Sequence, residues 1–96
     1  MAREVIWTEP AWRDLEAAAE FIARDSESYA AAFVQEVKDS VTSLTQFAEM
    51  GRMVQEFGDQ RIRELLVTPY RLIYEVSDDR VLVLALIHGA RRGGRA

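Results

Sequence analysis

Residues 70–87 have the sequence YRLIYEVSDDRVLVLALI, and its pattern predicts two antiparallel strands joined by a tight turn. The first of them, Tyr70–Val76, alternates: tyrosine, leucine and valine share one face, while arginine, isoleucine and glutamate share the other. Residues 77–80 are polar and few enough for a hairpin turn. Residues 81–87 are apolar at every position, which is typical of a strand buried on both faces.

The sequence before this hairpin adds a third neighbouring strand. Residues 61–67 have β-prone ends, and Thr68-Pro69 interrupts the pattern as a turn. The C-terminal half is therefore predicted to form a three-stranded antiparallel meander.

Two amphipathic helices precede the meander, because apolar residues recur there at spacings of three and four. The predicted stripes are Ala11, Trp12, Leu15, Ala18, Ala19 and Ile22 in the first helix, and Ala30, Phe33, Val34, Val37, Val41, Leu44 and Ala48 in the second. Pro10 suits a first helical turn, with Thr8 or Glu9 near the cap. The short polar break at residues 25–28 predicts an antiparallel helical hairpin, and Gly51 ends the second helix or follows closely after it.

A short β-prone run at residues 4–8 completes the predicted fold, and Trp7, like Trp12, is expected in the core. The fold class is α+β: an N-terminal strand, an antiparallel helical hairpin, then the meander, in two layers. Residues 1–96 are expected to form a single domain, with about 89–96 as a mobile basic tail. With both helices on one side of the sheet, the other face is open and would carry Arg71 or its alternating neighbours.

Composition excludes several classes of site. The chain has no cysteine and one histidine, so disulfides and thiolate metal sites are excluded and a zinc site is disfavoured; we expect no metal and no cofactor. No apolar signal core or membrane-length apolar stretch occurs, so a soluble, cytoplasmic protein without membrane contact is expected. The net charge of −4 is not that of a general nucleic-acid binder, although residues 51–96 carry eight arginines against six acidic residues.

An ordered set of short strings covers nearly the whole chain and resembles the RelE/ParE superfamily of bacterial toxins. The C-terminal strings are GRMVQE at 51–56, RIREL at 61–65, PYRLIYEV at 69–76 and IHGAR at 87–91, and the N-terminal ones are VIWT at 5–8, Ala11, DL at 14–15, IA at 22–23 and AAF at 31–33. One departure is Ala48-Glu49, which stands where many relatives carry a proline before the Gly-Arg.

The resemblance implies the toxin of a type II toxin–antitoxin system, with growth arrest and plasmid stabilisation as its effects. A co-expressed antitoxin would hold it inactive in a hetero-oligomer, with the antitoxin's C-terminal segment covering an exposed groove. The superfamily has two activities. ParE-like members bind DNA gyrase and block it, whereas RelE-like members cleave messenger RNA in the ribosome. A third possibility is a non-toxic remnant that retains antitoxin binding.

The RelE-like alternative implies a metal-independent endoribonuclease with Arg71, His88 and Arg91 as its catalytic candidates. Arg71 matches the arginine of the RelE-like strand motif, and Arg91 lies where a second phosphate-binding arginine is found. His88 could act as acid or base near neutral pH. However, residues 87–94 contain no counterpart of the C-terminal catalytic tyrosine of many RelE-like toxins.

The ParE-like alternative is favoured, because residues 87–92 resemble the His-Gly-x-Arg ending common in that branch. It requires a recognition surface and no catalytic residue, and the basic tail is then the candidate gyrase contact. The candidate residues for binding target or antitoxin are Arg63, Glu64, Arg71, His88, Arg91 and Arg92. Structural roles stay open for several of them: Arg71 could pair with Glu75, Arg63 and Glu64 could pair across strands, and His88 could be a hydrogen-bonded structural residue.

Overall fold

The computed structural model describes residues 2–89, and they form two helices packed on one face of a five-stranded sheet. The elements in chain order are β1 (Glu4–Trp7), α1 (Glu9–Ala23), α2 (Glu27–Ser43), β2 (Arg52–Met53), β3 (Ile62–Val67), β4 (Tyr70–Val76) and β5 (Arg80–His88). The α+β class, the N-terminal strand, the helical hairpin and the meander β3–β4–β5 are all confirmed. Arg91 and Arg92, with the rest of the expected tail from residue 90, lie outside the described residues.

The sheet has the strand order β1-β5-β4-β3-β2 and is mixed. β1 runs parallel to β5, and the remaining neighbours are antiparallel. The two-residue β2 was not predicted from the sequence, because so short a strand has no periodicity to detect. The register of β5 shifts against β4 between Ile73 and Tyr74, so that Leu84 is an extra residue on β5.

Thr8 and Ser26 cap the two helices, and Thr8 is one of the two residues expected near the first cap. Thr8 accepts a hydrogen bond from the Ala11 amide at 3.3 Å, and Ser26 accepts one from the Tyr29 amide at 3.1 Å. The second helix ends at Ser43, eight residues before Gly51, so the expectation that the glycine ends or closely follows it is wrong.

The core lies between the helices and the inner face of the sheet. Its most completely buried members are Ala11, Val37, Leu44, Leu72, Tyr74, Val81 and Val83. Two expectations about burial are wrong. Trp12 is 41% exposed and meets Trp7 edge-to-face at 5.6 Å, because it lies at the rim of the sandwich. The outer-face residues of β5, such as Leu82 and Ile87, are only half-buried, so this strand is not buried on both faces. Within residues 2–89, no helix is both long and apolar enough to cross a membrane.

Candidate functional site

A buried ion pair occupies the outer face of the sheet, the face that the helices leave uncovered. Arg71 Nε donates to Glu64 Oε1 at 2.6 Å, and the side chains of both residues are almost fully buried, at 7% and 6% exposure. The second carboxylate oxygen of Glu64 accepts from Arg52 Nε at 2.9 Å, and Arg52 itself is exposed. Burial on its own would raise the pKa of Glu64, but the hydrogen bonds from Arg71 and Arg52 outweigh it and hold that pKa below its usual value.

Strand register explains why these three side chains meet. Glu64 is opposite Arg52 on one side and Ile73 on the other, so Arg71 reaches it diagonally across β3 and β4. The possible pairing of Arg71 with Glu75 is not observed. Glu75 instead lies 4.0 Å from Arg61 at the far end of the strand.

A second polar cluster holds the loop between α2 and β2 against the sheet. The buried Tyr74 hydroxyl donates to the Ala48 carbonyl at 2.8 Å and accepts from the Gly51 amide at 2.9 Å. Arg63 donates to the Gly51 carbonyl at 2.9 Å, so it binds this loop and does not pair with Glu64. Burial raises the pKa of Tyr74, although the hydrogen bond from Gly51 partly offsets it. A Cβ at Gly51 would lie 2.6 Å from the Tyr74 oxygen, so the position requires glycine.

His88 lies at the end of β5 on the inner, helix-facing side of the sheet. It is opposite Tyr70 in register, and the two rings meet edge-to-face at 5.1 Å. Tyr70 belongs to the core, whereas Arg71, its neighbour in sequence, points to the outer face. The structure therefore places Arg71 and His88 on opposite faces of the sheet and does not bring them together.

Sequence reasoning missed several residues that shape these surfaces. Arg52 and Tyr74 were not singled out, although Arg52 follows a glycine in the string shared with the superfamily. Asp14 accepts a hydrogen bond from the Leu86 amide at 3.0 Å, and its place on a polar helix stripe gave no signal of that contact. Among the described residues, no three histidine, cysteine or acidic side chains are grouped to hold a metal ion.

Comparison with known proteins identifies the family to which the chain belongs. A family model described as ParE toxin of type II toxin–antitoxin system, parDE, matches residues 5–93. The chain belongs to this family, within the RelE/ParE superfamily that its sequence resembles, and membership of a toxin–antitoxin system implies an antitoxin partner.

One relative agrees with this assignment, and one solved structure shares the fold. The chain is 33% identical over 89 residues to Toxin RelE2 of Caulobacter vibrioides (strain ATCC 19089 / CIP 103742 / CB 15), covering 92% of this chain and 97% of the relative. A chain from a structure of the chromosomal ParDE TA system from P. aeruginosa shares the fold with a TM-score of 0.73 at 21% identity, over 91% of this chain and 96% of the other.

Proposed function

We propose that this chain is a toxin that binds and inhibits DNA gyrase, and that a cognate antitoxin neutralises it. The observation that carries the proposal is the separation of Arg71 from His88 by the sheet itself. A metal-independent ribonuclease needs a cation at the phosphate and an acid or base within hydrogen-bond reach of the same nucleotide. Side chains on opposite faces of one sheet do not meet this requirement.

The environment of Arg71 supports the same conclusion. Its guanidinium is already neutralised by Glu64 and is 7% exposed. Moving it to a phosphate would leave the buried Glu64 with the exposed Arg52 as its remaining partner, and removing one partner of a buried ion pair costs roughly 3–5 kcal/mol. We therefore assign Arg71 a structural role, in which it stabilises the sheet.

A binding inhibitor requires only a surface that fits its target. His88 lies at the C-terminal end of β5, and the sequence continues from there to Arg91 and Arg92. We place the gyrase contact at this end of the molecule. Arginine provides planar donors for carboxylates of a protein partner.

The first test is to induce the chain alone in a bacterium and to follow labelled thymidine and labelled methionine incorporation over the first minutes. We expect DNA synthesis to fall first. A prior collapse of protein synthesis, with cleaved messenger RNA, would contradict the gyrase assignment in favour of a ribosome-dependent nuclease. Unimpaired growth would indicate a non-toxic antitoxin-binding remnant.

A supercoiling assay with purified gyrase then tests the contact site. His88→Ala and the double variant Arg91→Ala/Arg92→Ala should weaken inhibition at least ~30-fold if they include an interface anchor. Arg80→Ala is the matched control, because Arg80 is an exposed arginine at the opposite end of β5. Equal inhibition by all three variants would contradict the placement of the contact.

A further inference from the structure

The last part of β5 has a neighbouring strand on one side only. β1 pairs with β5 from Arg80 to Val83, and among residues 2–89 no strand continues beside β5 from there to His88. On the other side, β4 stays paired with β5 as far as the Tyr70–His88 pair. The end of β5 therefore has a free edge, and the main-chain groups on such an edge need hydrogen-bond partners from outside the sheet.

A side chain of the helical layer is one of these partners. Asp14 lies on α1 and is half-buried, and its Oδ2 accepts a hydrogen bond from the Leu86 amide at 3.0 Å. Leu86 belongs to the core, with 5% of its surface exposed. Hydrogen bonds from an amide to an ionised carboxylate are stronger than those to a neutral oxygen. The contact therefore joins α1 to β5 two residues before His88.

The place of Asp14 within α1 indicates that this contact, and not the helix itself, accounts for the residue. Aspartate is among the less favourable residues in a helix interior, and Asp14 lies beyond the first turn, where a negative charge stabilises a helix most. Other acidic residues of α1 bond within the helix: Glu9 accepts from Arg13, and Glu16 accepts from Trp12. Asp14 instead bonds to a strand residue 72 positions away in sequence.

Asp14 and His88 also face the same cleft. This open cleft, of about 680 Å³, lies between α1 and the end of β5, and both residues line it. The His88 ring meets Tyr70 edge-to-face at 5.1 Å, so β4 supports the ring while Asp14 holds the main chain of β5 nearby. A recognition side chain keeps one orientation when neighbouring groups fix the backbone that carries it.

We propose that Asp14 is a positioning residue for gyrase inhibition and that it acts through His88. By holding the Leu86 amide, the Asp14 carboxylate fixes the last residues of β5 against α1, and His88 is thereby presented to gyrase in one orientation. The inference rests on the proposed function for the identity of the target. It assigns Asp14 no contact with gyrase itself.

Two replacements of Asp14 test the role of its acceptor oxygen in the supercoiling assay. Asp14→Leu removes the acceptor and should weaken inhibition at least ~10-fold, the factor that corresponds to the loss of one hydrogen bond to a charged group. Asp14→Asn keeps a side-chain carbonyl that can accept from the Leu86 amide, so its inhibition should stay within about threefold of that of the unmodified chain.

Glu20→Leu is the matched control for the removal of a carboxylate. Glu20 is exposed on the same helix and lines a hollow between α1 and α2. Its replacement should change inhibition by no more than about twofold, as is usual for a surface substitution. A loss in Glu20→Leu equal to that in Asp14→Leu would assign the effect to the charge of α1 and overturn the inference.

A second control separates positioning from a general loss of stability. Tyr74→Phe removes hydrogen bonds between β4 and the loop that follows α2, away from the cleft. All variants are compared at a temperature at which far-ultraviolet circular dichroism shows them to be folded. Under that condition Tyr74→Phe should inhibit gyrase like the unmodified chain. An equal loss of inhibition in Tyr74→Phe and Asp14→Leu would assign the effect to stability alone and overturn the inference.

A double-mutant cycle tests whether Asp14 acts through His88. If it does, Asp14→Leu has no side chain left to misplace once His88 is replaced by alanine. Adding Asp14→Leu to His88→Ala should therefore change inhibition by less than about twofold. Multiplication of the two single losses in the double variant would show independent effects and overturn the inference.

Amide hydrogen exchange, followed by nuclear magnetic resonance, measures the contact without gyrase. In Asp14→Leu the Leu86 amide should exchange at least ~10-fold faster than in the unmodified chain, because the free edge opens locally. The Val83 amide, where β1 covers β5, should exchange at an unchanged rate. Equal protection of Leu86 in the two proteins would overturn the inference.

The outcomes distinguish this inference from the proposed function. Failure of the unmodified chain to inhibit gyrase would contradict the proposed function, and the role of Asp14 in inhibition with it. Inhibition by the unmodified chain that Asp14→Leu retains in full would overturn the inference about Asp14 alone.

Discussion

Replacing Arg71 by methionine tests whether the buried pair on the outer face is structural. The variant removes the 2.6 Å hydrogen bond and leaves the 6%-exposed Glu64 carboxylate with only the exposed Arg52 as its partner. Breaking a buried ion pair by removing one partner costs about 3–5 kcal/mol. A chain of 96 residues is expected to have a free energy of unfolding of roughly 5–14 kcal/mol, so the variant should lose a large part of its stability.

The double variant Glu64→Leu/Arg71→Met should recover most of that loss. Both side chains are then apolar and are flanked in register by Leu66, Ile73 and Ile87. Replacing a buried pair by apolar residues of similar size is often close to neutral. We therefore expect a coupling free energy of about 3 kcal/mol between the two positions.

Urea unfolding at pH 7, followed by tryptophan fluorescence and far-ultraviolet circular dichroism, measures both quantities. Arg13→Met is the control, because the Arg13–Glu9 pair is exposed and should contribute less than about 0.5 kcal/mol. A loss in Arg71→Met as small as in this control would refute the structural role. The structural role would also be refuted if the double variant lost as much free energy of unfolding as the two single variants together.

Three further predictions concern the stability of the folded chain. The folded-state pKa of Glu64 is lowered, so its contribution to stability is fully present above the unfolded-state pKa near ~4.3 and is lost as the pH falls through the folded-state pKa. In urea titrations, the difference in free energy of unfolding between the unmodified chain and Glu64→Gln should therefore shrink below about pH 4 and stay constant above about pH 5. Tyr74→Phe should destabilise by about 1–3 kcal/mol in the same assay, since it leaves the Gly51 amide and the Ala48 carbonyl without their partner. Thr8→Ala should cost about 0.5–2 kcal/mol through loss of the α1 cap, and restoration of the melting temperature by serine would distinguish capping from packing.

The sequence was sufficient to predict the helices, the three-stranded meander and the family. The periodicities of these elements extend over many residues, and Thr8, Ser26 and Thr68-Pro69 lie at the element boundaries. The parallel pairing of β1 with β5 was not predicted, because it joins residues 76 positions apart and depends on how the helical hairpin returns the chain to the sheet.

The contacts of individual side chains were less predictable from the sequence than the helices and strands. From the sequence, Glu64 has four candidate arginine partners, at positions 52, 61, 63 and 71. Only the register of β3 against β2 and β4 shows that its partners are Arg52 and Arg71. The contact between Tyr70 and His88 was also not predicted, since it depends on the register of β5 against β4.

The alternation of β4 gives consecutive residues different roles, because it directs them to opposite faces of the sheet. Arg71 points to the outer face, where Glu64 neutralises it and the pair stabilises the sheet. Tyr70 points to the inner face, where it belongs to the core and packs against His88. Substitutions at Arg71 should therefore change the free energy of unfolding, while substitutions at His88 should change gyrase affinity. A binding toxin can separate these two residues in this way, whereas a ribonuclease that used Arg71 together with His88 would need both faces of the sheet to act on one nucleotide.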